Sequence, residues 1–403
     1  MSYETQIVRN RAELDLVLPE WREFLSDNAL NHSLFSNPDV VAFDVGDDEI
    51  VPYIVFVRFA GKLKCIAPFR VQLSRFRMQL SVFELASVRV RLMTLFGNDF
   101  VYSHDADVRQ CFSRVFESFE GTAFDVSILR AIDANSLLWR YCAAENGKPP
   151  GLRFARASRV KDQTFQLTLT QSFDAYLATL GSNTRSSLKR RTKKLLADHS
   201  AALVKITAAD QARSFLDSAD SVFSDSWQAM TYGPVRKNSQ REVARMEYVA
   251  NQGWLRCYLL TSDVGPLAFQ FGYQYGDTYY ACDFAFAQKW SHLGPGAVLM
   301  YLMLQNLHQE CQPRVVDLGP GDSPQKRTFR ASHHNVGDYY VVPRNRLRFL
   351  VSAQRCLSEV EAGVRAVLVR AGVDNAVRRF LKHKLGTRRL APSLNHNAPT
   401  PGI

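Results

Sequence analysis

Gly294-Pro295-Gly296 leads from a strand-like segment straight into AVLMYLMLQNLHQE, a run with one broad apolar side. The first N–H groups of a helix lack internal partners, and its dipole favours negative charge there, so such an entry is a ready anion site. Glycine lets a pyrophosphate approach the backbone; it is also the default residue of a plain helix-entry turn, and both readings stay open. His292, Leu293, Gly294, Gly296 and Ala297 are the residues that would surround such an anion. His292 either reaches a phosphate or caps the strand. Lys326 and Arg327 follow the helix-start signal Asp322-Ser323-Pro324, and cations in a first turn oppose the dipole unless an anion binds, so Lys326 is expected to contact phosphate. Two carboxylates flank the unit: Asp283 on the strand entering it and Asp317 at the end of the strand leaving it. A carboxylate so placed can move a proton, orient an acceptor, or hold a loop through backbone N–H groups. Trp227 and Tyr232 lie in DSWQAMTYGPVRKN, read as a loop, where they either stack on an acceptor or cap the core.

The elements that must position these groups can be read from period and punctuation. Phe269, Phe271, Tyr273 and Tyr275 alternate with smaller or polar residues, Gly276-Asp277 turns the chain, and the return strand runs from Thr278 to about Gln288. Strict alternation there puts Tyr279, Ala281, Asp283 and Ala285 on one face. RVVDLGPG reads as a short buried strand ending at a second glycine turn. Upstream, residues 51–71 form a hairpin about Gly61-Lys62. Strand-like segments follow at 78–84, 87–96, 124–129 and 163–169, with helices at 136–145, about 208–223 and 240–251. Trp21 to Phe43 mixes helical spacing with a loop around Asn37-Pro38. Ser172 and Asn183 are expected helix caps.

Composition bounds the class. At 403 residues, 46% hydrophobic and 22% charged, the chain suits two globular domains. Seven scattered cysteines without a C-x-x-C pair, and His333-His334 without a ligand partner at metal spacing, predict no disulfide framework and no metal site. The N-terminal residues lack the apolar core of a signal peptide and no apolar run is long enough to span a bilayer, so a cytoplasmic protein is expected. The net charge of +11 is concentrated: residues 185–194 carry six Lys/Arg and no acid, and residues 344–389 carry twelve Lys/Arg against three acids. On the first segment Arg185, Lys189 and Lys193 share a helix face, with Leu188, Leu195 and Leu196 turned inward. It is either a phosphate-binding ridge, for CoA, a nucleotide-linked donor or RNA, or a solvated surface. In the second, Leu350, Leu357 and Val364 fall one heptad apart on a helix or helix pair interrupted at Gly363, which either packs on the domain or lies on an anionic membrane.

The order strand, hairpin, strand, glycine turn, helix, strand resembles the acyl-CoA-binding half of the GNAT acyltransferase superfamily. DSWQ (225–228), GWLRCYLL (253–260), GPLAFQFGYQYGDTYYACDFAF (265–286), LGPGAVL (293–299) and VVDLGPGDSPQKRTF (315–329) resemble the CelD-like acetyltransferases of cellulose and exopolysaccharide synthesis, relatives of the FemAB-like transferases that use aminoacyl-tRNA. The sequence departs from the usual turn Q/R-x-x-G-x-G/A at Ser291, and from the frequent Tyr-Lys at Gln325-Lys326.

The resemblance implies an α/β (α+β) fold of two tandem GNAT-like domains, with mixed central sheets flanked by helices and a helical basic C-terminal segment. The expected division is a degenerate N-terminal domain (1–170) without a cofactor site, basic connecting helices (171–200), a C-terminal acyl-CoA-binding domain (201–343), a basic amphipathic segment (344–390) and a disordered tail (391–403). It further implies direct acyl transfer, without a covalent enzyme intermediate, from acetyl-CoA or another acyl-CoA to a saccharide or envelope precursor. Asp283 is then the first candidate base and Asp317 the second, with Trp227, Tyr232 and Tyr279 toward the acceptor. An aminoacyl-tRNA-dependent transferase, and a non-catalytic scaffold of a polysaccharide synthase, are the alternatives. Peripheral contact of residues 344–389 with the inner, anionic face of the membrane stays open beside their packing on the domain.

Overall fold

The computed structural model describes residues 2–370 except 28, 31, 47–48, 81–82, 120–122, 145–147, 158–161, 233–237 and 344–346. The 376–389 part of the basic C-terminal segment and the tail lie outside the described residues. The described residues form two compact units: one from residues 1–162 and 334–370, the other from Gln163–His333.

The first unit begins with strand β1 (Tyr3–Val8), helix α1 (Arg11–Asp27), β2 (Ala29–Leu30) and α2 (Pro38–Asp44). Asn37-Pro38 opens α2 and not a loop: the Asn37 side chain accepts from the Asp39 N–H, and Pro38 takes the first helical position. Then come β3 (Ile50–Phe59), β4 (Lys62–Leu80), β5 (Phe83–Leu95), β6 (Val101–Ser103), α3 (Val108–Glu117), β7 (Val126–Asp133), α4 (Leu137–Ala143) and β8 (Leu152–Arg156).

The second unit runs β9 (Asp162–Thr168), α5 (Phe173–Thr179), α6 (Ser182–Asp198), β10 (Ala202–Ile206), α7 (Ala212–Ser224), α8 (Trp227–Tyr232) and α9 (Gln240–Asn251). It continues with β11 (Cys257–Ser262), β12 (Gly265–Tyr275), β13 (Thr278–Phe286), α10 (Pro295–Glu310), β14 (Val315–Pro320) and α11 (Pro324–Thr328). Strand β15 (Ser332–Pro343) returns the chain to the first unit, where α12 (Leu347–Arg370) closes it.

Each unit holds a mixed sheet flanked by helices, with one parallel pair in an otherwise antiparallel order. The orders are β1-β3-β4-β5-β7-β15 in the first unit and β10-β11-β12-β13-β14-β9 in the second. The parallel pairs occupy equivalent places, β5 with β7 and β13 with β14, and each spans three residues of register. The expected fold class therefore stands, and this shared strand order gives the duplication a geometric basis that residue identity does not.

Three local readings are corrected. Asn183 lies inside α6, whose cap is Gly181, while Ser172 does cap α5 through the Ala175 N–H. The DSWQ segment is not a simple loop, because Trp227–Tyr232 make a helical turn capped by Ser226 Oγ on the Ala229 N–H. Gly363 does not interrupt α12. The first turns of that helix pack inward: Leu347 and Val351 are buried with Phe76, Val90, Leu92, Val126 and Ile128. This end of the basic C-terminal segment is thus core.

Candidate functional site

The second unit's core explains how its candidate site is held. One side of α10, with Val298, Leu299, Met303, Leu304 and Leu307 fully buried, sits on the sheet beside Tyr258, Leu260, Leu267 and Tyr279. Strand β13 pairs with β14 only at Thr278–Val315, Tyr279–Val316 and Tyr280–Asp317. Past that point β14 stays with β9, which it pairs from Val315 to Pro320, while β13 runs on to Phe286 beside β12 alone. The two strands splay, and the opening leads toward the N-terminus of α10.

At that N-terminus Gly294 adopts a left-handed conformation (φ 68°) and no side chain caps the helix. The Gly294 carbonyl accepts from the Ala297 and Val298 N–H groups, and the Gly294 N–H donates to Ser291 O at 3.0 Å. A side chain at 294 would come within 3.2 Å of Arg191 Nη1, so a guanidinium from α6 flanks the turn. Arg191 is exposed and, among the described residues, pairs with no carboxylate. An uncapped helix start, a left-handed glycine and an adjacent cation are together suited to a phosphate group. Arg191 was the residue missed by sequence reasoning, which set Arg185, Lys189 and Lys193 as the phosphate ridge. Nothing distinguishes it within a run of six cations until the helix is docked.

The other residues expected here behave unequally. Gly296 faces the protein: a Cβ there would lie 2.8 Å from Phe284 Cζ and 3.2 Å from Phe286 Cδ1. Its missing side chain lets α10 close on β13. Leu293 and Ala297 are partly buried against the same core, and His292 is exposed with its ring 6.2 Å from that of Trp290. Lys326 is corrected. Its ammonium donates to the carbonyls of Gly319 (2.9 Å), Pro320 (3.0 Å) and Gly321 (2.8 Å) and lies over the Phe165 ring. All three donors are taken, so it fastens the glycine turn after β14, and burial pulls its pKa down to about 8. Gln325, at the other departure from the family pattern, donates to Gly296 O at 3.1 Å and ties α11 to α10.

The carboxylates separate in a way that alternation does not foresee. Pairing with β12 shifts between Phe271–Asp283 and Gly272–Ala281, leaving Cys282 as an extra residue on β13. This bulge reverses the alternation. Tyr279 and Ala281 keep to the α10 side, where Phe284 and Phe286 join them after the bulge. Asp283 and Ala285 lie opposite Phe271 and Phe269, whose rings pack on Phe215 of α7. Asp283 therefore does not share a face with Tyr279. Tyr279 is itself fully buried, donates to Arg256 O at 3.1 Å and has its phenol pushed well above the ordinary value by burial, so it belongs to the core and not to an acceptor site. Gly272, opposite the bulge, was the signal in the sequence: a glycine inside a strand marks a bulge or a close approach.

Asp317 holds its loop, accepting from the Gly319 N–H at 2.8 Å. On the Asp283 side, Gln228 donates to Phe284 O at 2.9 Å and Asp225 O accepts from the Gln288 N–H, so the DSWQ segment clamps the outer half of β13. Trp227, next to that clamp, is 45% exposed. Tyr232 ends α8, and its side chain lies outside the described residues. The Cys282 thiol is pushed well above its ordinary value, by burial first and then by the nearby Asp317 charge. Among the described residues no His/Cys/Asp/Glu cluster could hold a metal, and no helix is long and apolar enough to cross a membrane.

Residues 182–327 match the acetyltransferase (GNAT) domain family. A comparison with curated proteins finds no match. Among solved structures the chain is similar to FemX (TM-score 0.57, 10% identity, covering 87% of this chain and 99% of that one). It is also similar to a conserved protein of unknown function from Bacteroides thetaiotaomicron (TM-score 0.50, 10% identity, covering 84% and 100%). At such identities these likenesses speak for the fold alone. The segment that matches the GNAT family contains the splay, the Gly294 turn and Arg191. The CelD-like character expected from the motifs is not carried by these matches.

Proposed function

We propose that the chain is an acyltransferase that takes an acyl group, most simply acetyl, from acyl-CoA and passes it directly to a hydroxyl or amine of a saccharide or cell-envelope precursor, as in exopolysaccharide or cellulose synthesis. The observation that carries this reading is the splay of β13 from β14 ending at an uncapped α10 N-terminus flanked by Arg191. Backbone around Gly294–Ala297 and the Arg191 guanidinium hold the pyrophosphate, and the thioester arm lies along the open side of β13. A bound CoA thioester supplies an activated acyl carbon. The protein supplies orientation and a proton acceptor. Asp283, on the side of Trp227 and α7, takes the acceptor's proton, while Asp317 is a weaker candidate because one of its oxygens already holds the loop. Transfer is direct, since a thiol held protonated by burial, as at Cys282, makes a poor nucleophile.

Acetyl-CoA should raise the melting temperature, and Arg191→Gln should weaken its binding by about tenfold or more, the worth of a charge-assisted phosphate contact. No thermal shift with any acyl-CoA would remove this reading and leave the scaffold alternative. Aminoacyl-tRNA as donor is the second reading, favoured by the likeness to FemX and by the acid-free cationic stretch of α6. It requires tRNA binding that weakens steeply with salt.

A further inference from the structure

Arg191 leaves α6 on one side, and a different surface lies on the other. Lys189 is two residues away, about 200° around the helix, and together with Thr192, Lys193, Leu196 and Ala197 it faces Tyr301, Leu302 and Gln305 of α10 across an open groove of about 530 Å³. The α10 residues lie roughly 10–16 Å along the axis from the Gly294 turn. The groove is therefore separate from the phosphate position at the helix start.

Three features make it more than a gap between helices. Its floor and walls are largely hydrocarbon, and Leu196, expected to turn inward, is 38% exposed here. Thr192 takes the inward place instead. It is only 6% exposed, its hydroxyl is buried without a partner, and it lines the groove. A buried hydroxyl left unpaired is costly unless something supplies its bond. Lys189 and Lys193 stand exposed on one rim, one turn apart, and among the described residues neither meets a carboxylate. Six cations lie within residues 185–194 of α6, the one acid of the helix, Asp198, falls beyond that run, and such a run repels itself unless an anion is near. On the opposite wall the Tyr301 phenol is pushed up by burial and, less, by Asp174 of α5. The negative charge on that side favours the lysine rim for an anionic group.

We propose that this groove binds one anionic lipid of a membrane surface, with its phosphate at Lys189 and Lys193, its chain along Leu196, Ala197 and Leu302, and a headgroup or ester oxygen at the Thr192 hydroxyl. Hydrocarbon and phosphate side by side are what the lining matches. A nucleic acid would use the cations and leave the apolar floor uncovered. The membrane contact is then in the second unit, independent of the C-terminal segment and of the acyl-transfer reading.

The test uses the full chain and sedimentation with phosphatidylcholine vesicles, with and without phosphatidylglycerol. Binding is expected only to the anionic vesicles. Lys189→Gln with Lys193→Gln should weaken it roughly thirtyfold, taking the usual contribution of a basic residue near such a surface twice. Leu196→Gln should weaken it further, and Thr192→Val should weaken it without lowering the melting temperature. Unchanged binding in the lysine variant would overturn the proposal. So would a loss in the lysine variant that Leu196→Gln and Thr192→Val do not share, which would mean a diffuse electrostatic contact. Loss of tRNA binding in the lysine variant with vesicle binding intact would assign the rim to RNA instead.

Discussion

Gly296→Val tests how the second unit builds its site. A Cβ at 296 would stand 2.8 Å from Phe284 Cζ and 3.2 Å from Phe286 Cδ1, whereas carbon atoms rest at about 3.5–4.0 Å. One ring must retreat by nearly 1 Å even for alanine, and valine adds two further carbons. Phe284 cannot simply swing away, because Gln228 holds its carbonyl and its ring is packed with the α10 core. Overpacking of this kind costs about 1–3 kcal/mol, and replacing glycine in a helix by valine returns only about half a kcal/mol. For a unit of this size each kcal/mol moves the midpoint by about 2–4 °C. The expected fall is therefore roughly 1–10 °C, with Gly296→Ala a milder case. The assay is thermal unfolding followed by circular dichroism, paired with acetyl-CoA titration of the folded variant. A Gly296→Val protein that melts with the parent yet binds acetyl-CoA tenfold more weakly would refute the reasoning, since the space at 296 would then belong to the ligand and not to Phe284 and Phe286.

Other outcomes follow from the same geometry. Asp283→Asn should fold, bind acetyl-CoA and lose single-turnover transfer by about 10²-fold or more, while Asp317→Asn should lose stability first because Gly319 loses its acceptor. Reversed effects on rate and melting temperature would exchange the two roles. Truncation after Val342 should yield poorly soluble protein, since Leu347 and Val351 leave the core, and a fully soluble cooperative fold would contradict that packing. Burial lifts Asp99 to about 7. Its folded pKa exceeds its unfolded one, so its stabilisation is complete below about pH 4 and fades as the pH rises through 7. Asp99→Asn should accordingly raise the melting temperature at pH 8 relative to the parent and not at pH 4. Glu310 is held down to about 2, first by Lys205, then by Arg256 and Asn306. Its contribution should be present above about pH 4.5 and fade toward pH 2, and Glu310→Gln should flatten that part of the stability profile.

Most of the framework was legible because its signals are local. Hairpins announce themselves by alternation and a glycine turn, and α10 by its proline and its apolar side. The misreadings arise where a non-local partner decides. Tyr279 and Asp283 seem to share a face until a bulge at Cys282, fixed by the pairing of β13 with β12, turns the strand over. Lys326 reads as a phosphate contact because a cation in a first turn needs an anion, yet three carbonyls of the preceding glycine turn meet that need. Leu196, expected inward, is exposed, and Thr192 is buried in its stead, because α6 turns Leu188 and Leu195 into the core beside α10.

The strongest argument for a ligand at α10 is the contrast with its counterpart. Helix α3, after the short β6, lies between the parallel strands β5 and β7 in the first unit, as α10 lies between β13 and β14 in the second. Yet α3 starts at Asp107, whose side chain accepts from the Gln110 N–H, so a carboxylate of the chain already fills the place of an anion. At α10 the same place has a left-handed glycine, no side chain to cap the helix, and Arg191 beside it. A cap is worth about 1 kcal/mol and would be simple to supply. Its absence in one copy and presence in the other is what a unit that must admit a phosphate requires, and what a unit that binds none can dispense with. Gly294→Asp would give α10 the cap that α3 has, at the cost of a left-handed aspartate beside Arg191. It should abolish acetyl-CoA binding while the unit still folds, and unaltered binding in that variant would mean that the helix start is not the phosphate site.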